Sequence, residues 1–141
     1  MKKEIEKFEL IQPTEDNEYC FFHKQLEEDE TVFFHVTPKE NFNSIIKSGF
    51  LSAHDLNLNT SDLTSVSYAK KSSACLRHIF DKFEKKKNKK TSQDYVIFAV
   101  KFDSLNKKEI TKNNIDINIY DKSIQPHILG YCEIPKGFTH R

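Results

Sequence analysis

Residues 31–49, TVFFHVTPKENFNSIIKSG, constrain this chain more than any other stretch, because they require a strand to hand over to a helix within a few residues. TVFFHV, residues 31–36, is built of β-branched and aromatic side chains that favour a pleated, half-buried ribbon. Thr37 then stands as a helix N-cap, Pro38 at the first helical position, where its missing N–H costs nothing, and Glu40 at the third, the reciprocal partner of a capping box. Phe42, Ile45 and Ile46 supply one apolar helix face, and Gly49 occupies the C-terminal cap position, where a left-handed backbone is common. Alternation along the strand puts Phe34 and Val36 on one face, and Phe33 and His35 on the other. His35 and Thr37 therefore flank the point where strand becomes helix.

The remaining elements follow from the same kind of reading. LSAHDLNLNTSDLTSV, residues 51–66, has no stable period and predicts a loop. Ser72, Cys75, Leu76, Ile79, Phe80 and Phe83 recur near every 3.6 residues, which predicts a second helix over 68–84 that runs into the basic stretch Lys85, Lys86, Lys87, Lys89, Lys90. YVIFAVKF, residues 95–102, is a dense apolar run fit for the middle of a sheet. Ile115, Ile117 and Ile119 alternate with polar neighbours on another strand, and HILGYCEI, residues 127–134, makes a last strand between Pro126 and Pro135. Two early helices and later strands give an α+β class.

A chain of 141 residues is the size of one domain, with residues 1–30 expected as a charged N-terminal extension packed on it. Twelve Phe and five Tyr offset a hydrophobic content of only 37% by burying a large area each. No run of about 18 apolar residues exists, and MKKEIEKFEL runs straight into charge, so neither secretion nor membrane insertion is expected. Three cysteines without a CxxC pair argue against a disulfide framework or a thiolate zinc site, and a cytoplasmic location fits best. With 22 basic against 21 acidic residues, no global attraction to nucleic acid follows, although Glu27–Glu30 and the lysine run set up opposed local charge. The pattern lacks HExxH, a P-loop and GxGxxG, so metal-assisted hydrolysis and the usual phosphate cradles are unsupported.

His35-Val36-Thr37, Ile45-Ile46 and Gly49-Phe50-Leu51, followed by Ser67-Tyr68-Ala69-Lys70-Lys71-Ser72-Ser73-Ala74, are similar to the opening motifs of the ADP-ribosyltransferase fold. The branch they resemble contains DNA-targeting ADP-ribosyltransferases, RNA 2′-phosphotransferases and poly(ADP-ribose) polymerases. The resemblance implies a split antiparallel sheet with two early helices, NAD as substrate, and transfer of ADP-ribose to a protein or nucleic-acid acceptor. It assigns His35, Thr37, Ser67 and Tyr68 to NAD binding, with Tyr68 packing the nicotinamide, and offers Arg77 for a bidentate contact to the pyrophosphate. Glu133 becomes the candidate catalytic carboxylate, with His35 positioning the ribose; Gln125 or His127 stands as the alternative occupant of the glutamate's place. RNA 2′-phosphotransferase activity and a non-catalytic binding role are the competing readings of the same fold.

Overall fold

The computed structural model describes residues 5–12, 14–17, 19–50, 66–84, 90–102, 110–112, 116–119 and 125–139. Its strands are β1 (Glu6–Lys7), β2 (Val32–Pro38), β3 (Val66–Ala69), β4 (Tyr95–Lys101), β5 (Ile110–Lys112), β6 (Asp116–Ile119) and β7 (His127–Ile134). Its α-helices are α1 (Lys24–Glu27), α2 (Phe42–Ser48) and α3 (Ser73–His78), the last continuing into a π-helical turn over Ile79–Phe83. The strands form one mixed sheet in the order β1-β7-β4-β2-β3-β6-β5, antiparallel throughout except for the β1–β7 pair. The protein is thus α+β, with the apolar run of β4 inside the sheet between β7 and β2, as its composition predicts.

The two halves of the sheet are joined unequally. From Val32 to Pro38 every residue of β2 pairs with β4, and β4 pairs with β7 along its whole length. Between β2 and β3, by contrast, Phe34 and Ala69 are the only paired residues among those described. Among the described residues the register across this junction thus rests on one residue pair.

Alternation gives each face its own core. Val32, Phe34, Val36, Tyr95, Ile97 and Ala99 pack under α3, with Phe21 and Phe22 from the N-terminal segment. Phe33, Val96, Phe98 and Val100 lie on the other face with Ile117, Ile119, Phe50 and Ile45 of α2. Ile115 falls outside the described residues. Residues 1–30 contribute to the interior as well as to an edge: Phe21 and Phe22 are core residues, and β1 lies beside β7. That approach needs Gly130, since a Cβ there would stand 2.2 Å from the Phe8 ring and 2.6 Å from the Glu6 carbonyl.

Two buried carboxylates brace the α3 face. Glu27 is 6% exposed, accepts the Ser72 backbone N–H at 3.0 Å, and accepts the Ser72 hydroxyl. Ser72 Oγ in turn accepts the Phe21 N–H at 2.8 Å, so the N-terminal segment is fastened to the first turn of α3. Glu84 accepts from the Ser92 N–H and hydroxyl and from the Tyr95 hydroxyl.

Two helix boundaries differ from the sequence prediction. Thr37 is not a helix cap: it and Pro38 remain in β2, opposite Val96 and Tyr95, and the Thr37 hydroxyl accepts from the Asn41 side chain at 2.9 Å. Pairing to a central strand outweighs the capping signal, and a 3₁₀ turn over Lys39–Asn41 precedes α2. The second helix begins at Ser73 instead of residue 68, because Val66–Ala69 pair with β6. Gly49 does close α2, at φ +85°, with its N–H bonded to the Ile45 carbonyl at 2.8 Å. Ile46 is exposed, so α2 buries a narrower face than its sequence suggests.

Candidate functional site

The β2–β3 junction is where the sheet leaves polar chemistry uncommitted. Ala69 pairs with Phe34, and Tyr68, one residue earlier on the antiparallel strand, comes level with His35 on the opposite face. The ring centroids of His35 and Tyr68 are 5.5 Å apart; Phe50, just beyond Gly49, stands 5.1 Å from His35 and 5.5 Å from Tyr68. Phe102 closes the far side of Tyr68 at 5.0 Å, edge on. Side chains from β2, β3, the end of α2 and the end of β4 thus build one aromatic enclosure around a half-buried imidazole.

Hydrogen bonding fixes the state of that imidazole. His35 Nδ1 lies 2.8 Å from the Ser67 carbonyl oxygen, which can only accept, so Nδ1 carries the proton. Burial pushes the His35 pKa down to about 4, with the Ser67 carbonyl opposing and the charge of His78 adding to the depression. At neutral pH the ring is uncharged and its Nε2 is an acceptor, with no hydrogen-bond partner among the described residues. The imidazole thus joins β2 to the β3 backbone one residue from the Phe34–Ala69 pair.

Tyr68 is more deeply enclosed. It is 1% exposed, burial alone drives its pKa far above the ordinary phenol range, and its hydroxyl has no hydrogen-bond partner among the described residues. A buried hydroxyl left in that condition costs about 1–3 kcal/mol relative to a satisfied one. Phenylalanine would fill the same space without that cost.

Phe50 is held by an amide latch that the sequence pattern does not announce. Gln125 Oε1 accepts the Phe50 N–H at 2.8 Å, and Gln125 Nε2 donates to the Phe50 carbonyl at 2.9 Å. Gly49 leaves room for it, since a Cβ there would come within 2.8 Å of Gln125 Oε1. The chain after α2 is thereby fastened to the approach of β7. Phe50 belongs to a recognisable Gly-hydrophobic pair; Gln125, offered by the resemblance as an alternative for the glutamate's place, bonds to the Phe50 backbone, a role that nothing in the sequence signals.

The other candidates lie elsewhere. Glu133 sits on β7 opposite Val96, in the row of Thr37, on the same sheet face as His35 but with β4 between. Two strand spacings amount to about 10 Å. Glu133 forms ion pairs with Lys7 and Lys39, each at 3.3 Å, beside a cavity of about 370 Å³ lined also by Phe8, Leu10 and Asp94. Burial pushes its pKa up, but the two ammonium groups outweigh that and hold it below the usual carboxylate value. Arg77 is exposed on α3, which covers the Phe34 face. His127 is exposed at the start of β7. Leu51, Lys85–Lys87 and Lys89 lie outside the described residues. The structure therefore brings together His35, Tyr68 and the Ser67 carbonyl, sets Thr37 next along β2, and places Glu133 and Arg77 apart from them.

Burial pushes the thiol of Cys132 up to about 12 and that of Cys20 up to about 11, the nearby Glu27 carboxylate adding to each, so neither is a nucleophile at neutral pH. Among the described residues no group of three or more His, Cys, Asp or Glu is placed to hold a metal, and no helix is long and apolar enough to cross a membrane. Comparison of the chain with family models, with curated proteins and with solved structures finds no match.

Proposed function

We propose that this chain is an ADP-ribosyltransferase-like domain that binds NAD at the β2–β3 junction and passes its ADP-ribose to a protein or nucleic-acid acceptor. The observation that carries this reading is the meeting of His35 and Tyr68, from separate motifs, in one aromatic enclosure at the β2–β3 junction. A neutral imidazole whose Nε2 has no hydrogen-bond partner among the described residues suits a ribose hydroxyl or an amide N–H, and aromatic walls suit a planar nicotinamide ring.

In such a transfer the bond between the nicotinamide nitrogen and the ribose breaks, nicotinamide departs with the electron pair, and the acceptor's nucleophilic atom bonds to the anomeric carbon while losing a proton. Positive charge builds on the sugar only in the transition state, so a carboxylate beside it lowers the barrier selectively. Glu133 is the candidate for that role, and its ionised state, held by Lys7 and Lys39, suits it. For Glu133 to act, the ligand must run from His35 across β4 toward β7.

The separation of Glu133 from His35 favours a second reading, a domain that binds NAD without turning it over. Incubation with NAD and cell extract, followed by assay of free nicotinamide and of acceptor mass, distinguishes the two. Transfer predicts nicotinamide release that Glu133→Gln lowers by about a hundredfold with NAD affinity retained. Binding by calorimetry without release supports the non-catalytic reading. Failure to bind NAD at all ends both.

A further inference from the structure

We infer that residues 6–10 form a strap that masks Glu133 through Lys7, so that transfer is held back until this segment lifts from the edge of β7. This deepens the NAD-transfer reading and rests on it. The ground is the way two ammonium groups share one carboxylate: Lys7 Nζ stands 3.3 Å from Glu133 Oε2, and Lys39 Nζ 3.3 Å from Oε1. Both oxygens are thereby occupied. The lysines keep the side chain ionised, yet two positive charges around one negative charge leave a net positive field where a sugar cation has to form. Of the other carboxylates lining the adjoining cavity, Glu9 is exposed to solvent and Asp94 accepts the Lys136 N–H at 2.7 Å. Neither pairs with these two ammonium groups among the described residues.

The two lysines are held with different firmness. Lys39 follows β2, whose seven residues all pair with β4, and its own N–H continues that ladder to the Asp94 carbonyl at 2.9 Å. Lys7 belongs to a strand of two residues at the sheet's edge. That strand is secured by the Phe8 N–H, which donates to the Tyr131 carbonyl at 2.7 Å, and by the Phe8 ring, 5.8 Å from that of Phe22. Beyond Lys7 the pairing with β7 stops among the described residues, and a cavity of about 370 Å³ is lined by residues 7–10 of the strap and 133–135 at the end of β7. The strap thus has a seat at Phe8 and open space beside Glu133. Ion pairs between solvent-exposed groups hold little free energy, so such a contact opens readily. Lifting it frees Oε2 and leaves Glu133 with Lys39 alone, oriented and no longer outweighed in charge.

The test uses the full chain with NAD and cell extract, reading nicotinamide release, and amide hydrogen exchange at Phe8 in the protein without NAD. Lys7→Ala, a change at an exposed side chain, should raise release at saturating NAD about threefold and speed Phe8 exchange about threefold, the range that an exposed ion pair can hold back. NAD affinity by calorimetry should not change, and Lys7→Arg should behave as wild type. Lys39→Ala leaves the contact on Oε2 in place and should give no increase. If the wild-type protein turns over NAD and Lys7→Ala is no faster, the inference is overturned and the transfer reading stands. An equal gain in Lys39→Ala also overturns it, since charge alone, and not the strap, then governs Glu133. Unaltered Phe8 exchange in Lys7→Ala overturns it whether or not NAD is consumed. Absence of release from wild type and Lys7→Ala alike removes the transfer reading and the mask together.

Discussion

The two faces of the sheet bury polar groups on opposite terms. Under α3, Glu27 and Glu84 each accept several hydrogen bonds from backbone and side-chain donors, Glu27 across 45 residues of chain and Glu84 from Ser92 and Tyr95, 8 and 11 residues on. On the other face, Tyr68 is as deeply buried, and among the described residues its hydroxyl has no hydrogen-bond partner and His35 bonds through one nitrogen alone. Saturated polar groups hold a fold together; unsatisfied ones at an enclosed position weaken it and are retained where something else makes use of them.

The sharpest way to break this contrast is to remove a saturated group. Glu27→Ala strands the Ser72 N–H and loosens the Phe21 segment, and should destabilise the protein by about 3 kcal/mol, measured by urea unfolding. A loss below about 0.5 kcal/mol, the range of ordinary surface substitutions, would show that the α3 face is not braced by this carboxylate.

Acid acts next, through His35. Its folded pKa near 4 lies below the ordinary value of 6.5, so as pH falls through 6.5 the unfolded chain takes up a proton that the folded chain refuses. Stability therefore declines from pH 6.5 down to about 4 and receives no further change from this group below that. Partial exposure limits the effect to about 2 kcal/mol. Asp29 and Glu133, both held below the usual carboxylate value, contribute only at lower pH, where they protonate. His35→Gln should flatten the stability profile over the upper window; an unaltered slope would mean that the imidazole is solvated enough to titrate normally.

The smallest effect carries the opposite sign. Tyr68→Phe should stabilise the free protein by up to about 1 kcal/mol, because it removes a buried hydroxyl that has no partner among the described residues and opens no cavity. Destabilisation by the same change would place Tyr68 with the saturated groups of the other face.

Much of this arrangement could be read in the amino-acid order, and the exceptions have physical causes. β2, β4 and β7 were legible because dense or alternating apolar runs leave few other ways to bury them, and Gly49 because its place after an apolar face calls for a positive φ. The start of α2 was misread because Thr37 and Pro38 suit a helix N-terminus equally well, and the choice was made by β4, a strand nearly sixty residues on. Tyr68 and Ala69 join the following helix in sequence, and Val66 the preceding loop, because their strand character depends on pairing with β6. β1 and β5, two and three residues long, carry no periodicity to read. At the site, His35 and Tyr68 stood out through their motifs, whereas Gln125 holding Phe50, and Glu27 turning inward from an acidic run, depend on contacts across 75 and 45 residues.

Gly130 has a consequence outside the site. By admitting β1 it lets two residues and the Phe8 N–H occupy part of the outer edge of β7, an eight-residue strand in the thick of both cores. Any side chain at this position would prise that cover away and bare a run of unpaired amides and carbonyls, the template on which separate molecules join edge to edge. The absence of a single methyl group is thus a safeguard of colloidal solubility, acting between molecules instead of within one.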